Sequence, residues 1–241
     1  MNTVKYEGGQ YWVKLPWEIS KPHLPNNYPR AKGQMYPLVK DLIKKGLIES
    51  YQKILDEHLQ LQFIEEVDRA RPTDECHYLQ HHGVKKDSAT TPLRTVFNCS
   101  SKPDTDSPSL NDCLMTRPSL TKKLGSILLK FRIGLYAYTA DISKAFLRIG
   151  LQEEERDYTR FLWPTEPLDP DSLVKTYRFR SVLFEATSSP FLLQATLDNH
   201  PKTSNSHMKT QLANNFYVDH FQESTTDEKE LITLARKLIW N

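Results

Sequence analysis

The chain has 241 residues, a formal net charge of +2 and 26% charged residues. These values are average for a globular domain, so they argue against an intrinsically disordered chain. They do not by themselves identify a partner. No run reaches the roughly 18 apolar residues of a membrane span. The start MNTVKYEGGQ lacks the apolar core of a signal peptide, so we expect an intracellular protein with no membrane partner.

The cysteines are odd in number and show no C-x-x-C spacing, which argues against a disulfide framework and a zinc knuckle. They are Cys76, Cys99 and Cys113. Two histidines close to Cys76, His81 and His82, could be taken for metal ligands. Because adjacent residues of a strand point to opposite faces, we do not expect a metal site there.

The first part of the chain, residues 1–75, is predicted to contain an extended arm and two helices. Four prolines in YWVKLPWEISKPHLPNNYP argue against a long helix in that stretch. Helical spacing of apolar residues predicts helices over residues 35–47 and 51–63. In the second of these, Ile54, Leu55, Leu59 and Phe63 share one face.

The middle part, residues 76–135, begins with two strand-like runs, HYLQHHGVKK and LRTVFNCS, which predict a hairpin. Between Cys76 and Leu135 the sequence contains nine basic and four acidic residues. This excess suits a ligand that bears phosphate, although a solvated basic face gives the same pattern. A helix is predicted to follow, capped by Ser119, with an apolar stripe that belongs to the core.

The last part, residues 136–241, opens with LYAYTADI, whose alternation predicts a strand with Asp141 near its end. The run KTYRFRSVLF predicts another strand. In EATSSPFLLQATL, Ser188 or Ser189 can cap a helix that has Pro190 at its first position.

Two β-prone runs in NNFYVDHF predict a tight hairpin with Asp219 and His220 at the turn. The final segment, TTDEKELITLARKLIW, predicts a helix with Thr225 and Glu228 as a capping box.

Asp141 and Asp219 form the one pair of aspartates that these patterns place at strand ends. Nucleotidyl transfer uses two divalent metals roughly 3.5 to 4 Å apart, held by carboxylate oxygens. Aspartate is also common at turns for backbone reasons, so each residue alone is weak support for a metal site.

Several segments in succession resemble the motifs of reverse transcriptases in order and spacing. They are KKDSATTPLRTVFNCSSK, YTADISKAFLRIGL, VLFEATSSPF and FYVDHF. The arm YWVKLPW, the helix YQKILDEHLQLQFIEEV and the run CHYLQHHGVKKDS resemble the BEL/Pao group of LTR retrotransposons. The resemblance implies an α+β fold of fingers (76–135) and palm (136–241), with an antiparallel palm sheet backed by helices. It also implies RNA-directed DNA synthesis.

The resemblance further implies a role for each matching residue. Asp141 and Asp219 would hold two Mg²⁺ ions, for which Mn²⁺ could substitute. The positions that would contact the deoxynucleotide are Lys85 (or Lys86), Arg94, Phe146 and Phe184. Ser189 and Pro190 would pack beside nucleotide and template, and Tyr217 and Val218 would lie near the primer end. Phe146 would exclude a ribose 2′-hydroxyl, although an ordinary core aromatic is the alternative. The implied partners are a primed RNA or DNA template and a dNTP.

Three substitutions depart from the family pattern. His220 replaces the second aspartate of the turn, and because imidazole is a poor ligand for a hard cation we expect a loss of at least roughly 10- to 100-fold. Glu185 replaces a glycine. We expect strain of about 1 kcal/mol if that backbone needs positive φ or a close approach to ligand. We also expect repulsion of about 3 kcal/mol towards a triphosphate roughly 6 Å away at an effective dielectric of about 20. Asn98, where aspartate is usual, is a milder change.

The chain ends soon after the turn, so we expect a truncated copy without a thumb, RNase H or integrase. The expected activity is impaired reverse transcription. The alternative is a catalytically dead remnant that binds nucleic acid or is simply structural, and an unrelated globular domain is a third reading. The sequence leaves the oligomeric state open.

Overall fold

A computed structural model of the chain describes residues 4–19, 21–67, 75–85, 93–116, 124–199 and 215–239. The chain divides into two compact units. The first unit is Met1–Thr116 with Phe146–Ser189, and the second is Arg117–Ala145 with Pro190–Asn241. The predicted arm, fingers and palm are defined by their roles, so the two compact units do not test their boundaries. The three-part division stays a prediction.

The elements are numbered in chain order. The helices are α1 Tyr28–Lys44, α2 Ile48–Gln60, α3 Leu110–Cys113, α4 Leu124–Phe131, α5 Glu153–Arg156, α6 Ser189–Asn199 and α7 Glu228–Ile239, with short 3-10 turns at Lys21–His23, Ala145–Arg148 and Asp157–Thr159. The strands are β1 Val4–Glu7, β2 Gln10–Val13, β3 Ile64–Glu66, β4 Gln80–Lys85, β5 Leu93–Asn98, β6 Tyr136–Asp141, β7 Gly150–Leu151, β8 Arg160–Pro164, β9 Val174–Phe179, β10 Phe216–Tyr217 and β11 His220–Thr225. None of these described helices is long and apolar enough to cross a membrane.

The first unit contains two three-stranded sheets, β1-β2-β7 and β3-β9-β8, and the predicted hairpin β4–β5. All pairings are antiparallel except that of β2 with β7. Its core is rich in aromatic side chains, and Tyr51, Phe161 and Trp163 are almost completely buried. Such large buried rings contribute much of the apolar area that stabilises a unit of this size.

Both predicted N-terminal helices exist, but α1 begins seven residues before the predicted start at residue 35. The prediction was wrong because Pro29 lies in the first turn of α1, where a missing N–H group costs no hydrogen bond. Pro37 also lies inside α1. Helix α2 begins at Ile48 rather than at residue 51.

The second unit is built around an antiparallel sheet in the order β10-β11-β6, against which α4 and α7 pack. Phe216 and Phe221 form its buried centre together with Tyr138, Ala140 and Leu197. Small antiparallel sheets with helices confirm the predicted α+β class. Asp141 ends β6, as its alternating pattern predicted.

Two local predictions in the second unit were wrong in detail. The turn between β10 and β11 consists of Val218 and Asp219, whereas His220 already pairs with Tyr217 in the ladder. Helix α7 is capped by Asp227, whose carboxylate accepts the N–H of Lys229 at 2.8 Å, and not by the predicted Thr225. Helix α6 begins at Ser189, one residue before Pro190, which was predicted to hold its first position. The predicted Ser119 cap lies outside the described residues.

His81 lies in the core of the first unit rather than in a metal site. Its Nδ1 is 2.6 Å from the Tyr51 hydroxyl, and its Nε2 is 3.0 Å from the Leu162 carbonyl. A neutral ring fits this pair of partners if Nε2 donates and Nδ1 accepts. Burial lowers the pKa of His81 to about 4. Both ring nitrogens are therefore already used.

Candidate metal and nucleotide sites

Asp141 and Asp219 lie at the same end of the second unit's sheet. Asp141 is the last residue of β6 and pairs with His220, the first residue of β11. The carbonyl oxygen of Asp219 accepts the N–H of Ile142 at 3.1 Å, which ties the β10–β11 turn to the end of β6. We call Asp141, Asp219 and His220 the aspartate cluster. The structure thus brings together two residues that are 78 positions apart in the sequence.

Strand alternation decides where these side chains point. Ala140 and Phe221 are paired and belong to the buried side of the sheet, so the neighbouring pair Asp141 and His220 faces the other side. The Asp141 side chain is 64% exposed, and His220 Nδ1 lies 3.7 Å from its Oδ1. Asp219 is half-buried.

Two of the three side chains in the aspartate cluster are carboxylates, the ligand type that a hard divalent cation prefers. Mg²⁺ is commonly held by one or two carboxylates together with substrate phosphates and water. Among the described residues no group of three or more His, Cys, Asp or Glu could hold a metal. The aspartate cluster, as far as the structure describes this unit, therefore offers two carboxylates, and the imidazole of His220 beside them is a poor ligand for Mg²⁺.

The turn that carries Asp219 is strained. Val218 has a φ of 59°, in the left-handed region, which a β-branched residue rarely adopts. The left-handed region costs a non-glycine residue roughly 1 to 2 kcal/mol. The closed turn fixes the backbone of Asp219 against Ile142, so this strain is located beside the proposed metal ligand.

Replacing Val218 tests that strain. Val218→Ala removes the branched part of the side chain and Val218→Gly also removes Cβ, so only the glycine variant adopts the left-handed region freely. We expect the glycine variant to be more stable than the alanine variant by about 1 kcal/mol, as measured by urea unfolding. Equal stabilities, or a more stable alanine variant, would show that the turn carries no such strain.

Three of the four predicted nucleotide contacts meet in the first unit. The guanidinium carbon of Arg94 lies 4.1 Å from the centre of the Phe184 ring. Phe146 meets the same ring edge-on, with centroids 5.1 Å apart and an interplanar angle of 82°. Phe146 is buried, whereas Phe184 is 51% exposed. We call Arg94, Phe146, Phe184 and the adjacent Glu185 the arginine cluster.

Lys85 is not part of the arginine cluster. It is the exposed last residue of β4 and pairs with Leu93, whereas Arg94 pairs with Val84. Alternation therefore places Lys85 and Arg94 on opposite faces of the hairpin. Lys86, the alternative, lies outside the described residues. A phosphate-binding role for Lys85 stays a prediction.

Glu185 is not strained, which corrects one expectation from the sequence. Its φ is not positive, so the backbone at this position does not require glycine. The residue is half-buried. Burial raises the pKa of the Glu185 carboxyl, and the charge of Arg94 and the N–H of Phe97 act in the opposite direction. The expected repulsion between the Glu185 carboxylate and an anionic ligand does not depend on φ and stays a prediction.

Asn111 is a residue that the sequence reasoning missed. Its side chain donates to the Glu185 carbonyl oxygen at 3.3 Å and accepts the N–H of Thr187 at 2.9 Å. The backbone N–H of Asn111 donates to the Cys99 carbonyl at 2.9 Å. Asn111 therefore fixes the segment 185–187 to the end of β5. A single asparagine in SLNDC gives no pattern from which this role could be predicted.

The other predicted positions differ in burial and in hydrogen bonding. Ser189 is fully buried and its hydroxyl donates to the Leu183 carbonyl, while the following residue, Pro190, is exposed. Tyr217 is half-buried in β10. The side chain of Asn98 accepts the N–H of Ser100 at 3.0 Å and so stabilises the turn after β5. That contact is one an aspartate could also make.

Solved structures with a similar fold are protease-reverse transcriptases of foamy virus. The complex with double-stranded DNA is 17% identical over 79% of this chain and 28% of that chain, with a TM-score of 0.58. The complex with an RNA/DNA hybrid is 18% identical over 79% of this chain and 21% of that one, with a TM-score of 0.57. A selenomethionine-labelled mutant of the prototype foamy virus protein is 18% identical over 92% of this chain and 23% of its own, with a TM-score of 0.56.

At such low identity this likeness shows the fold alone, and the chain has a reverse-transcriptase-like fold. It spans between 21% and 28% of the length of these viral proteins. No model of a protein family matches the sequence, and a search of curated proteins found no match.

Proposed function

We propose that the chain is the polymerase part of a reverse transcriptase and derives from an RNA-directed DNA polymerase. The single observation that carries this proposal is the aspartate cluster, in which Asp141 and Asp219 lie at one end of one sheet in a reverse-transcriptase-like fold. The motifs in FYVDHF and YTADISKAFLRIGL support the same assignment. Their detail favours a BEL/Pao-type LTR retrotransposon as the source.

In this proposal Asp141 and Asp219 hold two Mg²⁺ ions, or Mn²⁺ in their place. When bound, the ions would activate the primer 3′-hydroxyl for attack on the α-phosphate and stabilise the leaving pyrophosphate. Arg94 would contact the triphosphate, for which a forked guanidinium is suited. Phe184 would pack against the nucleotide, and Phe146 behind it would restrict space at the ribose.

The nucleic-acid partner we propose is a primed RNA or DNA template. The foamy virus proteins with a similar fold were solved with double-stranded DNA and with an RNA/DNA hybrid. The excess of basic residues between Cys76 and Leu135 suits phosphate contacts. We therefore expect binding to a primed template that weakens steeply as salt increases.

A second candidate is a non-catalytic remnant that binds nucleic acid without extending a primer. Two observations favour it. His220 stands beside Asp141 at 3.7 Å, where a further carboxylate would strengthen a site for two dications. Glu185 directly follows Phe184, whose ring Arg94 contacts, and its carboxyl interacts electrostatically with Arg94, the residue proposed to contact the triphosphate.

Primer extension on a primed RNA template, with Mg²⁺ and then with Mn²⁺, distinguishes the two candidates. We expect slow incorporation that Asp141→Asn lowers at least about tenfold, because one of two metal-binding charges is lost. Asp171→Asn is the matched control, since Asp171 is exposed in the first unit and has no role in the proposal. Salt-sensitive template binding without any incorporation would instead establish the remnant.

A further inference from the structure

Four exposed residues follow one side of helix α1 at intervals of four positions. We call Lys32, Tyr36, Lys40 and Lys44 the α1 stripe. Residues four apart lie one turn above the other on a helix, so the stripe extends over about 18 Å at 1.5 Å per residue. Another face of α1 packs into the first unit, and its buried residues are Ala31, Met35, Val39 and Leu42.

The positive charge of the α1 stripe is not neutralised within the part of the chain that the structure describes. Asp41 is the one carboxylate of α1, and it pairs with Lys45 at 2.6 Å, just after the helix. No ion pair among the described residues involves Lys32, Lys40 or Lys44. A row of separated cations suits a ligand whose negative charges also repeat along a line, as the phosphates of a nucleic acid do.

The ring of Tyr36 lies within this row, four residues from Lys32 and four from Lys40. Tyr36 is 44% exposed. Aromatic rings that stack on unpaired bases, set among cations that follow the phosphates, are the usual combination in proteins that bind single strands. The bases of a duplex are already stacked on one another, so Tyr36 favours an unpaired strand. A membrane surface fits less well, because a helix that lies on a membrane buries its apolar face there, whereas that face of α1 packs into the protein.

We infer that the α1 stripe binds an unpaired RNA strand, with its lysines on the phosphates and Tyr36 stacked on a base. The inference rests on the proposed function only in naming RNA as the strand, and it involves neither the aspartate cluster nor the arginine cluster. The stripe supplies affinity without sequence preference, because phosphate contacts and stacking do not read base edges.

Fluorescence anisotropy of a labelled oligouridine of about 12 nucleotides, measured with the full chain over a range of salt and without primer or metal, tests this inference. Combining Lys32→Gln, Lys40→Gln and Lys44→Gln should lower the slope of log affinity against log salt by about 2, at roughly 0.7 for each phosphate contact. The affinity at about 0.1 M salt should then fall about 100-fold. Lys40→Gln and Lys44→Gln singly should each lower the slope by about 0.7, which serves if the triple variant does not fold.

Tyr36 gives a second readout that a change of charge alone would not move. Tyr36→Ala should weaken RNA binding about tenfold at every salt concentration with an unchanged slope, because a stacking partner is lost and no charge is removed. Tyr36→Phe keeps the ring and should stay within about twofold of the native chain. Binding of an RNA duplex of the same length should not respond to Tyr36→Ala.

Three lysines elsewhere in the first unit provide the matched control. Combining Lys5→Gln, Lys102→Gln and Lys175→Gln removes the same total charge, and the slope should change by less than about 0.5, since Lys102 and Lys175 already pair with carboxylates. Equal slopes in the two triple variants overturn the inference, because they indicate general attraction to a basic protein. An equal effect of Tyr36→Ala on duplex and single strand overturns it too.

A change at the α1 stripe that abolishes binding to phosphatidylserine vesicles but leaves RNA binding intact identifies a membrane surface and likewise overturns the inference. The assay does not depend on polymerisation. A chain that extends no primer but loses RNA affinity in the stripe variants supports the inference while the proposed function fails. A chain that extends a primer and binds RNA equally well in all variants keeps the proposed function and overturns the inference.

Discussion

Combining His220→Asp with Glu185→Gln should raise primer extension by at least about 100-fold over the native chain. The first change restores a carboxylate beside Asp141 and is expected to contribute roughly 10- to 100-fold, the usual range for a lost partner in a metal site. The second removes a negative charge that would repel the triphosphate, and it is expected to contribute about tenfold. Glutamine is preferred to glycine because the backbone at 185 has no positive φ.

Steady-state kinetics separate the two contributions. His220→Asp alone should raise kcat, since it acts on the metal site, whereas Glu185→Gln alone should mainly lower KM for the dNTP. Glu166→Gln, at an exposed position in the first unit, is the control for loss of a glutamate. An unchanged rate in the double variant would mean that neither departure limits the native chain.

Lowering the pH from 7 to 5 should destabilise the first unit by about 2 kcal/mol through His81. The pKa of His81 falls from 6.5 to about 4 on folding because the ring is buried. The unfolded chain therefore binds the proton more readily. The stability that depends on a neutral His81 is fully present above pH 6.5 and is lost as the pH falls towards 4. The full loss amounts to about 3 kcal/mol.

Urea unfolding at the two pH values measures this loss, and the adjacent His82 supplies a matched control. His81→Gln should flatten the dependence on pH, because glutamine cannot take up the proton. His82→Gln changes an exposed histidine of the same strand and should leave the dependence intact. His77 is also buried with a lowered pKa and adds a slope common to both variants. Equal pH dependence in both variants would contradict the role of His81.

Much of the local structure could be predicted because the patterns are short-range. The alternation in LYAYTADI placed Asp141 at the end of a strand, and Ser189 with Pro190 predicted the start of α6 to within one residue. The start of α1 was missed because proline breaks a helix only after its first turn. The turn at Val218 was misplaced by one residue, since a valine with positive φ contradicts the preferences on which turn prediction depends.

The proximity of three predicted residues could be expected from the sequence, whereas their role as nucleotide contacts stays a prediction. Motif order identified Arg94, Phe146 and Phe184, and the structure brings them together. Lys85 and Arg94 lie on opposite faces of the hairpin because of the register between β4 and β5. That register is a property of the paired strands, and neither strand's sequence alone fixes it. The bridge made by Asn111 depends on tertiary contacts that no local pattern encodes.

Binding of Mn²⁺ in the presence of a primed template shows whether Asp141 and Asp219 share a metal site, and loss of the free-ion signal in electron paramagnetic resonance measures that binding. We expect Asp141→Asn and Asp219→Asn each to weaken Mn²⁺ binding at least about tenfold, because each removes one of two carboxylates at the same end of the sheet. Asp171→Asn should bind as the native chain does. Equal affinity in all four proteins would contradict a shared metal site.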